Sequence, residues 1–227
     1  MITTAMILCG GKGKRLLPYT NNIPKPMINI KNKPFLLILC EQLKNAGIRK
    51  IILLTGYKSD IIEDYFNKIK IKNCEIIILK TPSYYLTGKR VNQAKNLVNG
   101  RFLLLYGDNL VFLKIRYYVK KFLKNNFRFG MIIKNAKDAK EIGNCELKKS
   151  SFSYKKQRSR KFKYLDLGYF IFDKKIFNYL DSFKNTDLSD IIYKLSNKKM
   201  FYYYLVNGKY LSITDKNKLA KTRLFFK

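Results

Sequence analysis

Apolar residues in this chain fall into two rhythms. Short apolar runs bounded by turn residues predict strands at Ile2 to Leu8, Lys50 to Thr55, Cys74 to Lys80, Arg101 to Tyr106, Phe129 to Lys134, Tyr164 to Phe172 and Met200 to Val206. Segments of helical period lie between them. Pro34 opens a helix that puts Phe35, Leu39 and Leu43 on one face, with Gly47 placed to end it. Asp60 and Glu63 read as a capping pair for a helix running to about Lys68. Further helices are expected from about Val91 to Val98 and from about Leu113 to Lys124, and Asp173, Asp187 and Asp215 read as caps of three more. From Ala136 to Lys163 the chain is polar, lysine-rich and weakly periodic, which predicts loops and a small hairpin. Three strand-helix-strand units in the first 110 residues predict a mostly parallel sheet with right-handed crossovers. The fold class is therefore α/β, with no internal repeat or clear linker and a length that fits one domain.

Composition narrows the chemistry. The chain has no histidine, which removes every Ser-His, Cys-His and zinc-histidine mechanism and leaves carboxylates, cations, backbone amides and a metal. Cys9, Cys40, Cys74 and Cys145 lie far apart without a CxxC pair, so reduced thiols are expected. No apolar stretch approaches the roughly 20 residues that span a bilayer. The run from Ile2 to Leu8 has neither a basic leader nor a cleavage site, so a cytoplasmic protein is expected. The 47 Lys+Arg against 15 Asp+Glu give a formal charge of +32, which points to polyanionic partners, phosphorylated substrates among them. A coding bias toward lysine, isoleucine, asparagine, tyrosine and phenylalanine accounts for the same charge without any function.

The first strand runs straight into Cys9-Gly10-Gly11-Lys12-Gly13-Lys14-Arg15-Leu16. Glycines at the carboxyl end of a first strand let backbone amides approach phosphate oxygens, at the place where open α/β sheets bind ligands. Spacing excludes two commoner loops. No Ser or Thr follows the lysines as a Walker loop requires, and Leu16 stands where a dinucleotide fingerprint needs its third glycine. Beyond the loop, Pro24 and Pro26 hold Lys25 in what reads as a stiff, extended segment, and Arg15 offers a planar charged fork to phosphate. Farther on, Phe102 to Tyr106 ends in Gly107-Asp108-Asn109, a carboxylate past a buried strand where magnesium could be held; a turn-forming aspartate is the alternative.

Leu8 to Met27 resembles the signature LxGGxGxRLxPxTxxxPKPM of the sugar-phosphate nucleotidylyltransferases. The resemblance implies a three-layer α/β/α, Rossmann-like nucleotidyltransferase fold of the glycosyltransferase-A type, with a mostly parallel mixed sheet. It divides the chain into a nucleotide-binding half, 1–110, and a sugar-phosphate-binding half, 111–227. It implies that Leu8, Gly10, Gly11, Gly13 and Gly107 surround the nucleotide and that Arg15 grips the triphosphate. It also implies that Lys25 stabilises charge around the attacked phosphate and that Asp108 holds Mg2+. Leu86 to Val91 is similar to the family's base-contacting loop through Thr87 and Gly88, although Lys89 stands where a second glycine is usual. Tyr154 to Arg158 resembles the segment whose lysine holds the sugar phosphate, here Lys156; a solvated charge run is the other reading. Leu165 to Tyr169 looks like a wall of the sugar pocket, with Asp166 accepting a hydroxyl or satisfied by backbone amides.

The resemblance departs near the end, where Ser212 occupies the place of a second metal aspartate and Asp215 reads as a helix cap. Motifs YGDN, DxGY and YxSI are similar to those of heptose 1-phosphate guanylyltransferase-like proteins. The implied partners are a nucleoside triphosphate and a sugar 1-phosphate, giving a nucleotide-sugar and pyrophosphate for cell-surface polysaccharide precursors. Two alternatives stay open: a catalytically impaired member that binds nucleotide or an anionic surface, and nucleic-acid binding through Phe152, Tyr154, Phe162 and Tyr164 in the basic stretch Lys148 to Lys163. No dedicated nucleic-acid partner is expected, since those aromatics read better as core-facing strand residues. Whether the chain forms a homo-oligomer stays open.

Overall fold

The computed structural model describes residues 1–125, 127–148, 151–198 and 200–227. They form two compact units. The first comprises Met1–Tyr85, Leu105–Leu110 and Leu211–Lys227; the second comprises Leu86–Leu104 and Val111–Tyr210. Thr87 and Gly88, expected with the nucleotide-binding half, thus fall in the second unit, and Leu211–Lys227 falls in the first.

In the first unit, strands β1 (Thr4–Leu8), β2 (Lys50–Thr55) and β3 (Glu75–Lys80) run parallel, with Leu8 opposite Leu54 and Thr55 opposite Lys80. The sheet continues past β1 into the end of β4 (Phe102–Tyr106). Helix Phe35–Asn45 crosses from the first strand toward the second and buries Phe35, Leu36, Leu39, Cys40 and Leu43 on the predicted face. Its exit uses Gly47 at φ 92, a left-handed conformation that glycine adopts without steric cost. Helix Ser59–Lys68 forms as expected, but Asp60 and Glu63 do not cap it. Both carboxylates instead bind the Lys80 ammonium, whose position at the end of β3 brings it over the helix. The chain closes on helix Lys216–Phe225, capped by Asp215 as predicted, with its carboxylate accepting from the Lys218 amide at 3.0 Å.

In the second unit, β5 (Phe129–Asn135) pairs antiparallel with β8 (Tyr164–Phe172) and parallel with β9 (Phe201–Leu205). Strands β6 (Cys145–Lys148) and β7 (Ser151–Tyr154) make the predicted hairpin within the polar stretch. Tyr154 and Phe152 are buried, and the Phe152 ring stacks on Tyr203, so these two are the expected core-facing strand residues. Tyr164 is only half-buried at the start of its strand, and Phe162, also half-buried, precedes that strand, which corrects the reading for those two. Lys149 and Ser150 of that basic stretch lie outside the described residues. The N-terminal unit's parallel strands and this antiparallel pairing together make the mixed α/β architecture that the sequence predicts. Among the described residues, no helix is long and apolar enough to cross a membrane.

Candidate active site

The predicted phosphate loop leaves the sheet where β1 ends. The Cys9 amide still donates to the Leu54 carbonyl at 3.1 Å, after which the chain turns away from the ladder. From there to Gly13, among the described residues, no protein acceptor receives a hydrogen bond from the amides of Gly11, Lys12 or Gly13. A Cβ placed on Gly11 would meet nothing within 4 Å, so there is open space beside that residue. Successive unpartnered amides are donors left available to anionic oxygens.

Gly13 closes the loop. Its φ is 64, and a Cβ there would lie 2.9 Å from the Thr20 methyl and 3.0 Å from the Lys25 Cβ. Its carbonyl accepts from the Thr20 hydroxyl at 3.1 Å and from the Leu16 amide at 2.9 Å. The missing side chain therefore lets Thr20 and Lys25 pack against the turn. Gly13→Ala should cost about 1–2 kcal/mol from the left-handed backbone alone. The expected result is a melting midpoint lower by ~2–8 °C together with weaker nucleotide binding, read by calorimetry.

Lys25 sits in a 3-10 turn, Lys25–Met27, where the sequence predicts an extended segment. The difference has a local cause: Pro24 is extended, but its carbonyl accepts from the Met27 amide at 2.8 Å, and Pro26 occupies a position whose amide the turn does not use. The turn aims the Lys25 ammonium at the Asp108 carboxylate, with which it forms an ion pair. Both side chains are only 17% exposed. Asp108 is positioned by Gly107, whose amide donates to the Leu8 carbonyl at 2.9 Å, and by its own carbonyl, which accepts from the Ile213 amide at 3.0 Å. A Cβ on Gly107 would lie 2.8 Å from that Leu8 oxygen. Leu8 and Gly107 thus bring the metal-candidate acid beside the root of the loop through their backbones, and the Leu8 side chain is buried.

Arg15 is exposed on the loop's 3-10 turn. Burial raises the Asp215 carboxyl, yet the Lys218 amide and charge, the Thr214 hydroxyl and the Arg15 charge together hold it below the usual carboxylate range. Ser212 is buried, and its carbonyl accepts from the Thr222 hydroxyl at 2.9 Å. No group of three or more histidine, cysteine or acidic side chains capable of holding a metal occurs among the described residues. Asp108 alone fits magnesium only in the manner of sites completed by substrate phosphates and water.

The remaining predicted residues lie in the second unit, and each has a protein partner. Thr87 begins helix Thr87–Gln93; its hydroxyl donates to the Asp187 carboxylate at 2.5 Å and accepts from the Leu188 amide at 2.8 Å. Asp187 stands at the predicted cap position of helix Leu188–Asn197, but its carboxylate binds Thr87 and not the helix amides. The Gly88 amide donates to the Thr186 carbonyl at 2.9 Å, and a Cβ there would lie 2.8 Å from that oxygen. Close approach of Thr186 thus accounts for glycine at 88. Asp173 likewise precedes its helix, Ile176–Asp181, by a turn, accepting from the Lys175 amide at 3.0 Å.

Lys156 is paired with Asp190, and that ammonium holds the Asp190 carboxyl below its ordinary range. Asp166 is buried within a bulge of β8, where its carboxylate accepts from Asn144 at 2.6 Å and from the Gly168 amide at 3.0 Å. Sequence reading does not single out Asn144, Asp190 or Tyr57, whose amide donates to the Gly10 carbonyl at 3.1 Å. Their partners lie too far along the chain for any spacing rule to find.

Residues 4–212 match the protein family described as Nucleotidyl transferase. The chain belongs to the nucleotidyl transferase family. It is 35% identical over 217 residues to the bifunctional protein GlmU of Methanocaldococcus jannaschii, a match covering 90% of this chain and 49% of that protein. It is 31% identical over 180 residues to the D-glycero-alpha-D-manno-heptose 1-phosphate guanylyltransferase of Campylobacter jejuni, covering 77% of each. The fold is similar to that of HddC from Yersinia pseudotuberculosis crystallised with GMP-PN, with a TM-score of 0.79, 22% identity and 100% of each chain covered. The family membership and the Rossmann-like nucleotidyltransferase fold implied by the first-strand signature are therefore borne out.

Proposed function

We propose that this nucleotidyl transferase is a cytoplasmic, magnesium-dependent enzyme that joins a sugar 1-phosphate to a nucleoside triphosphate, releasing pyrophosphate. The observation that carries the reading is the convergence within one unit of the open amides of Gly11 to Gly13 and the Lys25–Asp108 ion pair. The amides and Arg15 bind the triphosphate oxygens. The attacking sugar phosphate is already anionic, so the reaction needs no histidine base, and the catalytic load falls on positioning and charge stabilisation. Lys25 exchanges its carboxylate partner for a phosphate oxygen as negative charge gathers there. Asp108 would hold magnesium together with phosphate oxygens and water, and the bound ion would supply charge neutralisation at the phosphates. Lys156, after leaving Asp190, is proposed to hold the sugar phosphate, and Asp166 to accept a hydroxyl of the sugar. Thr87 and Gly88 are proposed to shape the base site through the backbone they fix.

The Campylobacter relative's name supports a heptose 1-phosphate with GTP; a mannose 1-phosphate as the other acceptor and lipopolysaccharide or capsule precursors as the destination belong to the same proposal. The test is a matrix of nucleoside triphosphates against sugar 1-phosphates, heptose and mannose forms included, with pyrophosphate as readout. At least one pair should release pyrophosphate and form the nucleotide-sugar. Ser212 in place of a second acid favours one other reading, a nucleotide-binding member without catalysis. That reading is the outcome if the folded protein binds nucleotide and releases no pyrophosphate with any pair.

A further inference from the structure

We infer that Tyr57 is a positioning residue that ties the two ends of the phosphate loop together. The inference rests on the proposed function above, because it assigns Tyr57 to the same loop. Tyr57 follows β2, which is the parallel neighbour of β1, so its backbone arrives beside the point where the loop begins. There its amide donates to the Gly10 carbonyl at 3.1 Å. Its side chain reaches the other end, where the hydroxyl donates to the Thr20 carbonyl at 3.3 Å. Thr20 is buried, and its own hydroxyl holds the Gly13 carbonyl at 3.1 Å.

One residue thus grips positions 10 and 20 directly and position 13 through Thr20. The next residue strengthens the grip. Lys58 adopts a left-handed backbone at φ 50, uncommon outside glycine, and its ammonium donates to the Asn21 carbonyl at 2.5 Å. Three carbonyls of the loop and its exit are therefore held by Tyr57 and Lys58, while the amides of Gly11 to Gly13 stay open. The clamp fixes the carbonyl side of the turn and leaves the donor side presented to an anion. Preorganised donors bind without the ordering cost that a mobile loop would incur.

The test compares wild type with Tyr57→Phe, which keeps the ring and the backbone amide and loses only the hydroxyl. Two readouts are taken: hydrogen exchange of the hydrogen-bonded Leu16, Asn21 and Tyr57 amides in the free protein, and calorimetric binding of inorganic tripolyphosphate with magnesium. Losing one hydrogen bond corresponds to a ~2- to 10-fold change. The Leu16, Asn21 and Tyr57 amides should exchange faster and tripolyphosphate should bind about 2- to 10-fold more weakly, with KM for the nucleotide raised and kcat and the sugar-phosphate KM unchanged. Exchange elsewhere in the chain should match wild type, which separates positioning from general loosening. Unchanged exchange at Leu16, Asn21 and Tyr57 overturns the clamp, as does faster exchange spread over the whole chain. Should wild type fail to bind tripolyphosphate, the proposed function falls, while the exchange comparison still decides whether Tyr57 holds the loop.

Discussion

Asp108→Asn is expected to lower the rate of pyrophosphate release at least a hundredfold while leaving the fold intact. Asparagine keeps the shape of the carboxylate and an oxygen that can still accept from Lys25, so packing changes little. The fixed position of residue 108 comes from its backbone carbonyl, which accepts from Ile213, and from the Gly107 amide on Leu8; neither contact involves the side chain. What is lost is one negative charge in a pair that is mostly shielded from water. Removing a preorganised electrostatic group from a transferring phosphoryl site typically costs on the order of a hundred- to a thousandfold in rate. Steady-state kinetics at several magnesium concentrations, with a thermal melt beside them, measure both parts of the prediction. Wild-type turnover in a folded Asp108→Asn protein contradicts the assignment.

Lys25→Met should be about as harmful to turnover, on the order of a hundredfold, yet should change cation binding in the opposite direction. In the free protein the Lys25 ammonium neutralises Asp108. An ammonium and a divalent cation compete for one carboxylate, so removing the first makes room for the second. Binding of Mn2+ without nucleotide, followed by electron paramagnetic resonance, should therefore be tighter in Lys25→Met than in wild type and weakest in Asp108→Asn. Methionine keeps most of the apolar stem of lysine, including the Cβ that lies against the Gly13 turn. If Lys25→Met binds Mn2+ no better than wild type, the ammonium does not guard the acid.

Much of this arrangement is legible along the chain because it is local. The uninterrupted run Lys50 to Thr55 is a strand with those bounds, as is Tyr164 to Phe172, since apolar residues flanked by turn formers report directly on burial. Asp215 caps its helix because the donor lies three residues away, within the reach of a sequence rule. The glycines of the loop carry their meaning for the same reason. Contacts across long separations are where the reading fails. Asp60 and Glu63 have capping spacing, but the sheet brings Lys80 to both, and an ammonium outcompetes a helix amide for the carboxylates. Gly88 needs no side chain because Thr186 lies against it, and the Asp166 carboxylate is satisfied by Asn144. The Lys156–Asp190 pair likewise joins residues that no periodicity connects. The signature names the parts of the proposed phosphate site, whereas the inferred Tyr57 clamp becomes visible only when β2 is laid beside β1.

The most direct test is a crystal structure of the protein with a non-hydrolysable nucleoside triphosphate and magnesium. The triphosphate should lie within hydrogen-bonding reach of the Gly11, Lys12 and Gly13 amides and of the Arg15 and Lys25 side chains, with the ion on Asp108. A nucleotide bound with its phosphates away from the Gly10 to Arg15 turn would contradict the account.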